Sequence, residues 1–213
     1  KAPLNLLRQL ALSMELAPDQ NARERIQAQM VSVSDRAIRQ VNDLAKIARL
    51  KDGLFDTEPI SIRGLCEEIY RELDPLFRYE TRELERRYQN RSRLVVANRE
   101  LLHSIVYNLC TNAIHYSYRD TISHLAVSDT HGCIRVSVRD FGPALPVKIW
   151  RSLRQDSFDH PASIPMRPGS SGLGLYIASQ FARHMHANFG AVRHRDGTSF
   201  FIELPISKQA SLF

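Results

Sequence analysis

The sequence predicts an α+β protein built in two parts. Residues 1–54 read as an N-terminal helical hairpin, which becomes a four-helix bundle when two copies pair. Residues 55–213 read as an α/β sandwich, with a mixed, mainly antiparallel sheet and helices packed on one face. Three observations predict this. Apolar residues recur at spacings of three and four through residues 1–50. Two pairs of strand-like runs, 121–128 with 133–139 and 189–195 with 198–205, are joined by short turns. Helical stretches with one apolar side fall between the strand signals.

Residues 1–16 repeat Leu4, Leu7, Ala11 and Met14 at helical spacing, and Pro18 with Asp19 interrupts them. Residues 19–50 then carry Ile26, Met30, Val33, Ala37, Val41, Leu44 and Ala48, at spacings of 4, 3, 4, 4, 3 and 4. Lys51-Asp52-Gly53 supplies a stop. This second helix would be ~45 Å long. Two helices alone have too little core, so a homodimer through the hairpin is expected. Composition changes at Phe55–Pro59, which reads as a short strand or linker. Residues 61–80 place Leu65, Ile69, Leu73 and Leu76 on one helical side, and 84–88 and 93–97 read as strands. Asn98 can cap the next helix, and Asp129-Thr-His-Gly132 turns the first strand pair. A short helix at 146–153 precedes residues 154–171, rich in Ser, Pro and Asp, which lack periodicity and mark a functional loop. A helix at 172–187 leads into the last two strands.

The net charge is +6, with 43% hydrophobic and 24% charged residues, ordinary values for a soluble globular chain. The Arg78–Arg93 cluster interleaves Arg82, Arg86, Arg87, Arg91 and Arg93 with Glu80, Glu83 and Glu85. Mixed signs predict a solvated face and no nucleic-acid partner. Cys66, Cys110 and Cys133 have no metal-site or disulfide spacing and read as reduced thiols. No run approaches the ~18 apolar residues of a membrane span. The opening Lys1-Ala2-Pro3-Leu4 does not look like a signal peptide. The expectation is a cytoplasmic domain, with any membrane anchor in parts of the parent outside it.

Asn108 and Asn112 stand one helical turn apart and project from one face. Two neutral oxygens there can hold a hard cation such as Mg²⁺ while nucleotide phosphates complete its shell. Asp140 ends an alternating strand, where its carboxylate can accept from an exocyclic amine such as adenine N6. Gly142 lets the following backbone turn close to the ring. Gly172 and Gly174 open a helix whose unpaired N–H groups attract phosphate oxygens. Thr198, after Gly197, can hydrogen-bond the base or a bridging water. Each of these taken singly also reads as an ordinary turn, helix start or strand start.

Their order resembles the sensor histidine kinase family and the nucleotide-binding superfamily it shares with gyrase, Hsp90 and MutL. Asn108-Leu-Cys-Thr-Asn112-Ala-Ile-His-Tyr matches the family's N box. Asp140-Phe-Gly-Pro-Ala-Leu-Pro146, Gly172-Leu-Gly-Leu-Tyr-Ile-Ala178 and Gly197-Thr198 match its three glycine boxes. The hairpin resembles the family's dimerisation and histidine phosphotransfer domain. Lys1-Ala2-Pro3-Leu4 resembles the tail of its H box, His-Asp/Glu-x-Lys-Ala-Pro-Leu.

The resemblance implies ATP and Mg²⁺ as cofactors. It makes Asn112 the principal metal ligand with Asn108 assisting, and His115 a phosphate-side residue. Tyr116 becomes a pocket aromatic and Asp140 the adenine reader. Arg167 becomes a lid arginine at the γ-phosphate, and Gly172, Leu173, Gly174 and Leu175 the second glycine box. The implied reaction phosphorylates a histidine on the dimer bundle, and a response-regulator receiver domain then takes the phosphoryl group on an aspartate. That acceptor would lie ahead of Lys1, and none of the eight histidines falls in residues 1–50. Superfamily ATPases place a Glu where this chain has Asn108, and a carboxamide cannot take a proton from water, so hydrolysis should be slow. Ala144 departs from the second glycine of its box, Ile149-Trp150-Arg-Ser-Leu153 from the phenylalanine-rich lid motif, and Ala2 from the Thr or Asn of relatives with phosphatase activity. The alternative reading is a degenerate kinase core acting as a nucleotide-binding dimeric scaffold.

Overall fold

The computed structural model describes residues 2–89, 94–130, 132–155 and 172–207. Helices α1 (Ala2–Glu15) and α2 (Gln20–Arg49) lead the chain and pack together. The Asp19 carboxylate accepts from Ala22 N at 2.6 Å and so starts α2. A single 3₁₀ turn, Leu50–Asp52, ends at Gly53 with φ 66°, where glycine carries no Cβ penalty. The helical spans follow the predicted ones, but the α2 stripe is not one buried seam. Val41 is 64% exposed and Ile38 59%, whereas Asp43 is only 6% exposed. The C-terminal half of α2 turns Asp43, Lys46 and Ile47 toward the rest of the chain, and its apolar stripe faces outward.

The second part contains β1 (Glu58–Ser61), α3 (Ile62–Tyr79), β2 (Glu83–Tyr88), β3 (Leu94–Ala97), α4 (Arg99–Tyr116), β4 (Ile122–Thr130), β5 (Cys133–Asp140), α5 (Val147–Arg154), α6 (Leu173–His184), β6 (Asn188–His194) and β7 (Gly197–Pro205). Five strands form one sheet in the order β2-β4-β5-β7-β6. Only β2 and β4 run parallel, so the sheet is mixed and mainly antiparallel. β1 and β3 stand apart as a two-stranded antiparallel sheet, joined to the end of β7 by a Val95–Ile206 bridge. Period-two alternation buries Ile134, Val136, Val138 and Asp140 on one side of β5. That side meets α4, and α3 and α6 pack against β2 and β6 beside it. Phe77, Ile105, Leu109, Phe181 and Ile202 are fully buried or nearly so in this core.

Asn98 caps α4 as expected, accepting from Leu101 N at 3.0 Å. α6 stops three residues short of the predicted 187. Ala187 N bonds Ala182 O at 2.9 Å, and His186 takes φ 53°. This is a left-handed C-terminal cap made with histidine, so no glycine marked it. No helix among the described residues is long and apolar enough to cross a membrane.

Candidate functional site

Asp140 and Thr198 are paired residues at the ends of β5 and β7. Oδ1 of Asp140 accepts from Thr198 N at 3.0 Å. Both residues are buried, and Thr198 Oγ1 has no hydrogen-bond partner among the described residues. A buried hydroxyl left unmatched costs ~1–3 kcal/mol, so this atom points to a polar guest beside Asp140. Arg139 closes the outer side. It donates to the Asp140 carbonyl, pairs with Asp196 at 2.6 Å, and lies over the Phe141 ring, 4.4 Å from its centroid.

The turn after Asp140 is bound to the end of α4. Tyr118 N donates to Phe141 O at 2.9 Å, and Phe141 N to Ser117 Oγ at 3.3 Å. A Cβ on Gly142 would lie 1.8 Å from the Tyr116 carbonyl oxygen. The α4 backbone therefore requires a glycine here. Arg82 adds a clamp: Nε and Nη2 donate to Ser117 O at 3.1 and 2.8 Å. Nothing in the mixed-charge run 78–93 distinguished Arg82, and its half-buried position depends on where β2 falls against α4.

Asn108 and Asn112 are half-buried on α4, one turn apart. Asn112 has no hydrogen bond among the described residues, whereas Asn108 Nδ2 donates to Asp43 Oδ2 at 3.4 Å. Among the described residues no group of three or more His, Cys, Asp or Glu could hold a metal ion. The two carboxamide oxygens fit a hard cation whose remaining ligands come from phosphates and water. Tyr116 is half-buried. His115 is open to solvent by surface area yet closely surrounded by protein. That crowding, with the positive charges of Arg36 and Arg82, pushes its pKa down to about 4. The lowered value keeps His115 neutral at pH 7, and an anion placed beside the ring would favour its charged form.

Gly172 caps α6 with φ 65° and offers no side-chain capping bond to the first turn. Leu173, Gly174 and Leu175 follow, half-buried, and α6 packs on α4. Among the described residues, no atom outside its own helix turn lies within 4 Å of a Cβ placed on Gly174, which leaves room at the helix start. Arg167, His131, Arg91 and Arg93 lie outside the described residues. Trp150 of the altered lid motif packs on the core, and Nε1 donates to Ala191 O at 3.2 Å. Cys66 and Cys110 are buried free thiols; burial pushes Cys66 up to about 12 and raises Cys110 as well. His184, expected on the surface, is half-buried edge-on against Phe55.

The structure also joins α2 to the N-box helix, which the sequence did not reveal. Asp43 accepts from Ser104 Oγ at 3.0 Å and pairs with Lys46 at 3.3 Å. Arg39 pairs with Glu72 at 2.7 Å and lies 4.3 Å from the Tyr107 ring centroid. Arg39, Asp43, Lys46, Ser104 and Tyr107 edge a cavity of about 440 Å³ between α2, α3 and α4.

Residues 97–208 match the family described as histidine kinase-, DNA gyrase B- and HSP90-like ATPase. The chain belongs to that family. The relatives it resembles are sensor histidine kinases. Sensor protein GacS of Pseudomonas syringae pv. syringae is 26% identical over 183 residues, covering 82% of this chain and 20% of GacS. The signal transduction histidine-protein kinase BarA of Escherichia coli K12 is 27% identical over 209 residues, covering 90% of this chain and 22% of BarA. The chain thus spans about a fifth of the length of either relative. The fold matches full-length ShkA in complex with AMPPNP at a TM-score of 0.68, with 23% identity over 91% of this chain and 40% of ShkA. It matches histidine kinase ThkA in complex with the response regulator TrrA at 0.64, with 18% identity over 96% of this chain and 58% of that one.

Proposed function

We propose that this chain is the ATP-dependent protein-histidine kinase core of a two-component system. Residues 1–54 form the dimerising phosphotransfer hairpin and 55–213 the ATP-binding catalytic domain. The observation that carries the reading is the buried Asp140–Thr198 pair with its unmatched hydroxyl. A base with an exocyclic amine beside a ring acceptor satisfies both residues. Family membership and the AMPPNP in the ShkA complex support adenine as that base.

Asp140 orients the adenine amine, and Thr198 Oγ1 donates to the ring or to a bridging water. The α6 N-terminus, opened by Gly172 and Gly174, receives phosphate oxygens on its N–H groups. Asn112, with Asn108, holds Mg²⁺, which when bound neutralises charge on the transferring phosphate. His115 adds a proton-linked cation, and the family resemblance assigns Arg167 to the γ-phosphate. The phosphoryl group passes to a histidine of the hairpin sequence upstream of Lys1, then to an aspartate of a response regulator. The ThkA–TrrA complex supports that partner class. The exposed Leu4, Leu12, Val31, Ile38, Val41 and Leu44 on α1 and α2 support pairing of two copies. Ala2 offers no hydrogen bond to position water, which favours weak phosphatase activity.

Calorimetry with Mg²⁺ and a non-hydrolysable ATP analogue tests the pocket, and absence of heat and of a thermal shift overturns it. In a polypeptide that includes the residues ahead of Lys1, Mg-ATP should yield acid-labile phosphate. Asn112→Ala should abolish it, and undiminished labelling in that variant removes Asn112 from the metal site.

A further inference from the structure

Asp43 is a carboxylate on the hairpin, almost fully buried, that no part of the nucleotide site requires. Its partners are Ser104 and Asn108, one turn apart on α4, and Lys46 one turn on in α2. Lys46 also pairs with Glu100 at 3.0 Å. The three contacts with α4 run along one stripe of it, at positions 100, 104 and 108, that ends four residues before Asn112.

A carboxylate only accepts hydrogen bonds, whereas a carboxamide has a donating end and an accepting end. Asn108 must therefore turn its NH₂ group to Asp43, and its Oδ1 away from α2. Without Asp43, either end of the amide could face α2. The charge-assisted bond also draws electron density toward Oδ1 and makes it a better cation donor. We propose that Asp43 is a positioning residue: from the hairpin it fixes the Asn108 carboxamide with its oxygen presented for Mg²⁺. Metal-nucleotide affinity then depends on α2 being docked against α4. By reciprocity, bound metal-nucleotide tightens that docking. The inference rests on the reading of Asn108 as a metal oxygen donor.

The test titrates the whole chain with AMPPNP in Mg²⁺ and again in EDTA. Outer partners of metal ligands typically contribute ~10–100-fold in affinity, and Asn108 only assists, so Asp43→Asn should lose about 10-fold in Mg²⁺ and nothing in EDTA. Ser104→Ala, which removes one tether of Asp43, should lose less in the same direction. A wild-type measurement stands apart from the folding of any variant: Mg-AMPPNP should slow amide hydrogen exchange across residues 39–47 more than AMPPNP in EDTA does. Asn112→Ala separates the two levels. If it keeps full Mg²⁺ dependence, the metal site itself is wrong. If it loses that dependence while Asp43→Asn binds like wild type, or if exchange over 39–47 ignores the metal, the positioning role is overturned and the site stands.

Discussion

Gly142→Ala is the sharpest perturbation of this architecture. A methyl group there would sit 1.8 Å from the Tyr116 carbonyl oxygen, 2.7 Å from its carbon and 3.3 Å from Ser117 N. All three atoms are backbone, so no side chain can swing aside. Reaching even 3.0 Å, the closest approach that real Cβ atoms show, needs a separation of about 1.2 Å between the turn and the end of α4. Tyr118 N on Phe141 O and the Arg82 clamp on Ser117 O resist that opening. Overpacking costs ~1–3 kcal/mol, and the rigid neighbours place this case near ~3. For a chain of this size that lowers Tm by about 6–12 °C. The same opening moves Asp140 away from His115 and Tyr116. Wild type at a ligand concentration of about 100 Kd should gain ~2.7 kcal/mol. A tenfold loss of affinity cuts that gain to ~1.4 kcal/mol in the variant. Thermal melts with and without Mg-AMPPNP read both effects. A variant melting within about 2 °C of wild type, with its full ligand shift, would refute the close approach as the reason for this glycine.

Thr198→Val should leave stability unchanged or raise it by ~1 kcal/mol, because an unmatched hydroxyl is removed. Nucleotide affinity should fall about 3–10-fold; denaturant melts and calorimetry together check the opposing signs. Gly174→Ala, with no atom of the described residues crowding the new methyl, should gain up to ~1 kcal/mol in the free protein and lose affinity by crowding the phosphates. Equal affinity in a titration would remove Gly174 from phosphate contact. His115, held down to about 4 by burial and by Arg36 and Arg82, should take up a proton when nucleotide phosphates bind. Affinity should rise as pH falls from 7 toward 5, and calorimetry in buffers of different ionisation heat should register the uptake in wild type but not in His115→Asn. The linkage to folding has the opposite sign. A folded pKa below the unfolded ~6.5 favours the native state above that pH, and this contribution is lost as pH falls toward about 4.

Much of this architecture was legible because it is local. Period-two alternation placed β5 and ended it on Asp140, and side chains such as Asp19 and Asn98 announced the helix starts they cap. The ordered N box and glycine boxes gave the candidate site, and the structure joins Asp140 to Thr198 and Gly142 to Tyr116. What stayed hidden depends on contacts between distant segments. Asp43 lies 61 residues from Ser104, and no periodicity marks a charge that will be buried by another element. The Val41 and Leu44 stripe of α2 was legible, but not that the same helix turns Asp43 inward on another side and so serves two surfaces at once. The cap at His186 was missed because histidine occupies a position usually signalled by glycine.

The chain has a single tryptophan, and it reports on a useful place. Trp150, in the middle of α5, holds the edge of the sheet through Ala191, and Arg154 at the end of that helix lies 5.1 Å from its ring centroid. Indole emission shifts to the red when its surroundings become wetter. Any rearrangement that lifts α5 from β6 therefore carries its own optical signature, readable in unlabelled protein on the timescale of mixing.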